Sequence, residues 1–254
     1  MKEEKEIKLV GIYNLWDGEE IFEHSYRNMA PLLDAVIIVW SRLSNSCQSV
    51  GCYDPTKYPN AIHINHEPSP GKGKQSNERD KRNAGLREAK RLGFTHFLML
   101  DCDEFYEPIE FVKEIDRFKD PDLHGLVCRV KTYFKNPSLT IGYDPVTYVP
   151  FIQKITPSLH YSMNRRYPFA YDSNGPRIDP TRQLNIKRGV EWSTVTMHHY
   201  SHVRNDIRVK IENSSANLGR SSLLEDWLNA KEGYLVKMYN RVLVSCDNQF
   251  NIQL

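Results

Sequence analysis

Two carboxylates, Asp101 and Asp103, follow the apolar run Phe97 to Leu100 with only Cys102 between them. A short unbroken apolar run reads as a strand buried on both faces of a parallel or mixed sheet. Ligands of open α/β sheets gather at the carboxyl ends of such strands. Two acids at that edge repel each other unless something positive stands between them. A divalent cation with hard oxygen ligands, Mn²⁺ or Mg²⁺, shared with substrate phosphates, meets that need. Asp101 and Asp103 are the expected metal ligands, and Glu104 is either a further ligand or part of the turn. A helix cap or a solvated turn is the other use of the same residues.

A second cluster lies far along the chain, where His198, His199 and His202 fall within Met197 to Arg204. Imidazole beside carboxylates favours a transition-metal ion such as Mn²⁺ over Mg²⁺. Neighbours on a strand point to opposite faces, so His198 and His199 cannot serve one site equally. The alternative is three structural histidines. Arg204 and Lys210 are candidate phosphate partners. A general base would be a carboxylate outside the D-x-D pair, and Asp172, Asp179 and Glu191 are available. Asp179 stands in the turn-like Gly175-Pro-Arg-Ile-Asp-Pro180, and Glu191 opens the strand that leads to the histidines. Gly71-Lys-Gly-Lys-Gln-Ser76 is not a nucleotide-binding P-loop, because Gln75 stands where Ser or Thr must follow the lysine.

The elements that must position these groups alternate between strand and helix patterns. Ile7–Tyr13, Asp34–Trp40, Ala61–Asn65 and Thr95–Leu100 read as strands. A helix follows the turn Asn14–Gly18, and another runs from Asn77 to Leu92 with Ser76 as its cap and Gly93 as its stop. This order predicts a βαβ-type parallel sheet. Beyond it, Pro108 opens a helix and Leu126–Phe134 alternates as a half-buried strand. Pro137–Asn185 reads as a loop-rich acceptor region with a strand near Tyr148–Ile155. Val190–His199 reads as a strand, Arg204–Asn217 and Leu223–Tyr239 as helices, and Val242–Ser245 as a closing edge strand.

The combination resembles a known family. A strand running into Asn14 and a helix, a strand ending near Ser41, the segment Asp80-Lys-Arg-Asn-Ala-Gly-Leu86, then Phe97-Leu-Met-Leu-Asp-Cys-Asp-Glu-Phe105 look like the nucleotide-sugar glycosyltransferases of the GT-A fold, the family 2 group especially. The likeness covers roughly residues 7–118. It implies an α/β fold with a mixed, mostly parallel central sheet flanked by helices. Residues 1–254 would form one domain, with 1–118 as the nucleotide-sugar half and 119–254 as the half that holds acceptor and completes the metal site. It implies that Asp101 and Asp103 contact the ribose and hold a Mn²⁺ or Mg²⁺ on the donor diphosphate. Asn14, Lys81, Arg82 and Arg204 would line the donor site, a UDP-sugar being the expected donor. The late histidine that many such enzymes recruit for the metal corresponds to His199. The family pattern Q-x-x-R-W is absent, so acceptor-side roles and stereochemistry do not carry over.

The totals suit a soluble enzyme. With 34 basic and 32 acidic residues the net charge is +2, which argues against a general nucleic-acid binder. Lys72–Arg91 is locally basic, as a phosphate site would require. Five cysteines complete no zinc set and are expected reduced. The charged Met-Lys-Glu-Glu-Lys-Glu start does not resemble a signal peptide, and no apolar run approaches the ~20 residues of a membrane span, so a cytoplasmic location is expected. The acceptor expected is a glycan hydroxyl or a hydroxymethylated DNA base. The competing readings are a phosphohydrolase with Asp101 as nucleophile, or a domain that binds nucleotide sugars or glycans without turnover.

Overall fold

The computed structural model describes residues 6–162, 177–178, 180–213 and 220–254. In chain order the first half holds β1 (Leu9–Leu15), α1 (Glu19–Met29), β2 (Ala35–Trp40), β3 (Ile62–Asn65), α2 (Lys74–Arg91) and β4 (His96–Asp101). There follow β5 (Glu104–Phe105), α3 (Pro108–Ile115), β6 (Gly125–Lys154), β7 (Arg177–Ile178) and β8 (Val190–Val203). The chain closes with α4 (Arg208–Asn213), α5 (Arg220–Asn229), β9 (Leu235–Val236), β10 (Arg241–Val242) and β11 (Val244–Ser245).

The main sheet runs β3-β2-β1-β4-β6-β8-β5. Strands β3, β2, β1 and β4 are mutually parallel, β6 is antiparallel to β4, and β8 is parallel to β6. A mixed, mostly parallel sheet flanked by helices is the architecture expected from the sequence. The apolar runs of β1, β2 and β4 are buried on both faces because helices cover both. Side chains alternate, so Tyr13, Leu15, Leu98 and Leu100 join Phe22 and Phe111 of α1 and α3 on one face. Val10, Ile12, Phe97 and Met99 meet Ala84, Leu86 and Ala89 of α2 on the other. The same alternation sends Asn14 and Asp101, paired in register, to the α2 side at the carboxyl edge.

Several local expectations are corrected. Helix α2 starts at Lys74 rather than after Ser76, and its N-cap Gly73 makes no side-chain bond. Asn77 instead ties two loops, its amide bonding Ser69 and the Asn45 carbonyl. The stretch 137–154 is extended strand rather than loop. Its prolines are tolerated because the pairings there are short, two residues each with β11 and β7. The helix read over Leu223–Tyr239 ends at Asn229. The chain then turns through Gly233, whose φ of +80° disfavours a side chain, into β9.

Gly85 lets α2 approach the sheet. A Cβ there would lie 2.3 Å from Ile12 Cγ2 and 2.8 Å from Val39 Cγ2. Gly85→Leu should therefore lower stability by about 1–3 kcal/mol in urea unfolding, in spite of the better helix former.

Candidate active site

Strand β4 delivers Asp101 to the sheet edge, and the turn through Cys102 and Asp103 enters β5. That two-residue strand is antiparallel to β8, with Glu104 opposite His199 and Phe105 opposite His198. The Tyr200 N–H donates to the Asp103 carbonyl at 2.8 Å and fixes the turn against β8. Three acids thus meet within four residues, and each has cations from elsewhere in the chain.

Asp101 is 30% exposed at its side chain, and its Oδ2 accepts from Arg182 at 2.6 Å and Arg82 at 3.3 Å. Asp103 is buried, and its Oδ2 accepts from Lys210 at 2.5 Å and Arg204 at 2.7 Å. Its Oδ1 has no hydrogen-bond partner among the described residues and faces His199 Nε2 at 3.5 Å. Glu104 is fully buried. Both its oxygens receive the Arg182 guanidinium, and Oε2 also accepts the Asp101 N–H at 3.1 Å. Burial raises the pKa of all three acids, with different outcomes. At Asp101 the guanidinium groups of Arg182 and Arg82 outweigh burial and hold it at about 2. At Asp103, Lys210, His199 and Arg204 outweigh burial and keep it well below the usual range. At Glu104 burial wins over Arg182, and the carboxyl is pushed up to about 6.

The structure brings together most of the residues read from the sequence, and changes what several of them do. His199 stands beside Asp103 as expected. His198 instead meets the Tyr133 hydroxyl at 2.7 Å, and His202 meets that of Tyr239 at 2.8 Å, both away from the acids. Burial drives their pKa values down, to about 4 for His198. Asn14 lies next to Asp101, and both its amide atoms are buried without a partner among the described residues. Arg82 is not an open phosphate ligand. It is buried between Glu78, at 2.6 Å, and Asp101, because it faces the sheet from α2. Lys81 is also corrected: its ammonium is buried on the Leu15 carbonyl at 2.5 Å and the Ser41 hydroxyl at 2.8 Å. Burial drives that lysine down to about 7. Arg204 is buried against Asp103 and, at 3.6 Å, Glu20, so it anchors an acid rather than awaiting a phosphate. Lys210, 26% exposed at its side chain, keeps an open side.

Glu191 cannot be the general base of this site. It lies near the start of β8, and its register opposite Leu126, with His199 opposite Thr132, puts it roughly 20 Å from His199; it pairs with Arg117 with 58% of its side chain exposed. Asp179 and Asp172 lie outside the described residues. Arg182 was missed by sequence reasoning. No periodicity marks it, and only the folded chain shows that Pro180–Arg182 carries it back to Asp101 and Glu104.

Among the described residues no three His, Cys, Asp or Glu side chains converge on one metal position. Asp103 Oδ1 and His199 Nε2 nevertheless form a pair of donor atoms with no better use. A hard dication that takes one or two protein ligands and completes its shell with phosphate and water fits such a pair.

No family model matches the chain, and no curated protein sequence matches it. Among solved structures it is similar to S. aureus TarS, at 18% identity over 88% of this chain and 43% of that one, TM-score 0.44. The 1–349 piece of TarS gives 19% identity over 88% of this chain and 71% of that one, TM-score 0.44, and its complex with UDP 19% over 50% and 36%, TM-score 0.34. The mannosyltransferase PcManGT from Pyrobaculum calidifontis, in complex with GDP-Man and Mn²⁺, gives 15% over 51% and 36%, TM-score 0.31. The chain spans less than half the length of the TarS chain, 43% of it, and 36% of the 1–349 chain in complex with UDP. These likenesses assign no donor, metal or acceptor to individual residues here.

Two outcomes follow from the buried charges. Arg182→Met strands Glu104 and half of the Asp101 interaction, and should cost about 3–5 kcal/mol at pH 8. The loss should shrink at pH 5, where Glu104 takes up a proton; equal losses at both pH values in chemical unfolding would contradict the arrangement. For Lys81, whose folded value of about 7 lies below its ordinary 10.5, the unfolded chain binds the extra proton between those limits. Stability should then rise with pH from about 7 to 10.5, and this slope should vanish in Lys81→Met.

Proposed function

We propose that the protein is a metal-dependent glycosyltransferase that moves a sugar from a nucleoside-diphosphate sugar, a UDP-sugar first among them, to a hydroxyl acceptor. The observation that carries the reading is the pair of unsatisfied polar groups at the carboxyl edge of β4 and β1. Asp103 Oδ1 has only the long 3.5 Å approach of His199 Nε2, and the Asn14 amide beside Asp101 has no partner among the described residues. Burying such groups costs about 1–3 kcal/mol each unless a ligand completes them.

Glycosyl transfer leaves a diphosphate whose charge grows as the C–O bond breaks, and groups that meet that charge only when developed speed the step. A Mn²⁺ or Mg²⁺ held by Asp103 and His199 would supply this neutralisation as a Lewis acid. The chain itself contributes Lys210, whose ammonium is fixed by Asp103 and open on one side. Asp101, ionised and partly exposed, can accept hydroxyl hydrogen bonds from a ribose. The Asn14 amide offers one donor and one acceptor to a base or sugar. With Glu191 removed by its position, Asp179 is the acid to test as general base. The acceptor remains a glycan or a hydroxymethylated DNA base.

The phosphohydrolase reading is disfavoured by Asp101 itself. A carboxylate oxygen that accepts from two guanidinium groups is a weak nucleophile.

Incubation with UDP-glucose or UDP-N-acetylglucosamine and Mn²⁺ should release UDP. Asp101→Ala with Asp103→Ala should reduce the rate by about 10²–10³ or more, the scale of losing one preorganised electrostatic group. His199→Gln should weaken Mn²⁺ binding in calorimetry by about 10–100-fold with the fold intact. Undiminished UDP release by the double variant would sink the proposal, as would phosphate release from simple phosphomonoesters in its place.

A further inference from the structure

A second charged concavity lies at the other end of the sheet. A cleft of about 280 Å³ is lined by His124, Lys154, Lys187, Arg188, Asn185 and Ser158, with Thr156, Leu159 and Ile186 completing its walls. Lys154 pairs in register with His96, at the start of the strand that ends in Asp101. Five residues of strand, roughly 17 Å, therefore separate it from the D-x-D edge. Of the lining residues among those described, three are fixed cations and none is a carboxylate. Lys187 and Arg188 are exposed and make no ion pair among the described residues. Lys154 gives its ammonium to the Pro121 carbonyl at 3.0 Å, which orients the charge without cancelling it.

The walls are held independently of any ligand. Asn185 accepts the His160 N–H at 2.8 Å, gives its own N–H to the His160 carbonyl at 3.1 Å, and its amide donates to the Ser158 carbonyl at 2.9 Å. Lys90, at the end of α2, donates to the Pro157 and Leu159 carbonyls at 3.0 and 2.5 Å and adds a further positive charge behind the wall. The opposite wall is fixed where His124 and Gly125 both donate to the Gly189 carbonyl. The volume sits below the roughly 300–1,000 Å³ of pockets that enclose whole ligands. It suits one small anion or one group of a longer molecule. A concavity whose described lining carries cations and no carboxylate concentrates anions, and guanidinium and hydroxyl donors match phosphate oxygens.

We propose that this cleft is a phosphate-binding site, separate from the D-x-D edge, for a phosphate monoester or for one phosphate of a phosphodiester chain. It stands whether or not the distant edge transfers sugar.

The test is calorimetric titration of the whole protein with inorganic phosphate and with a tetrathymidylate, at low salt and without added metal. Saturable binding of one phosphate, weakened at least tenfold in Lys187→Gln/Arg188→Gln, is the expected result. Both residues are exposed, and an unchanged melting temperature would show that the variant is folded. Binding of tetrathymidylate at least tenfold tighter than phosphate, with the same loss in the variant, would identify a phosphodiester chain as the source; equal or weaker binding would identify a monoester. Phosphate binding that survives undiminished in Lys187→Gln/Arg188→Gln overturns the proposal, and its loss in Lys210→Gln would assign it to the D-x-D edge. Absence of binding by either probe also overturns the proposal.

Discussion

Everything at the carboxyl edge depends on one electrostatic constraint: three carboxylates within four residues must be held side by side in a largely buried place. Four cations achieve it, and they come from four different parts of the chain. Arg82 arrives from α2, Arg182 from the turn after β7, Arg204 from the end of β8 and Lys210 from α4. None can be placed unless the sheet is already assembled, so the site is a property of the complete fold and not of the D-x-D turn. Ion networks of this kind seldom improve stability over well-packed apolar residues. Their retention here is better understood as holding charge in readiness.

The charge is held unequally. The two oxygens of Asp103 have different surroundings, one taken by Lys210 and Arg204, the other left facing His199. Asp101 is partly open and firmly ionised, whereas Glu104, fully buried, has its carboxyl pushed up to about 6. One short segment therefore contains an outward acceptor, a candidate metal ligand and an internal buffer of charge. Environment, not residue type, separates their roles.

Much of this was legible in the sequence. The apolar run before Asp101 marks a doubly buried strand, and alternation along the strand that carries them separates His199 from His198. The roles of the basic residues were not legible. Lys81 and Arg82 read as donor-site residues, yet α2 turns them toward the sheet, because its buried face is set by Gly85, Ala84 and Ala89. Arg204 was read as a phosphate partner and proved to be the counter-ion of Asp103. Arg182 carried no local signal, since its importance arises from a contact some eighty residues distant in the chain. Glu191 seemed near the histidines in sequence, but a strand is long, and eight residues carried it to the far rim.

The pairing of β5 with β8 has a further implication for how such a site can change over evolutionary time. Because Glu104 sits opposite His199 and the main chain of Tyr200 grips Asp103, the imidazole reaches the acids through a ladder rather than a loop. Insertion or deletion of a single residue within the preceding rungs would turn His199 away and present the opposite face of the ribbon. A change of length can be absorbed here only as a bulge, as at the two register shifts between β6 and β8, and new specificity is more readily sought in the connecting segments that the ladder leaves untouched.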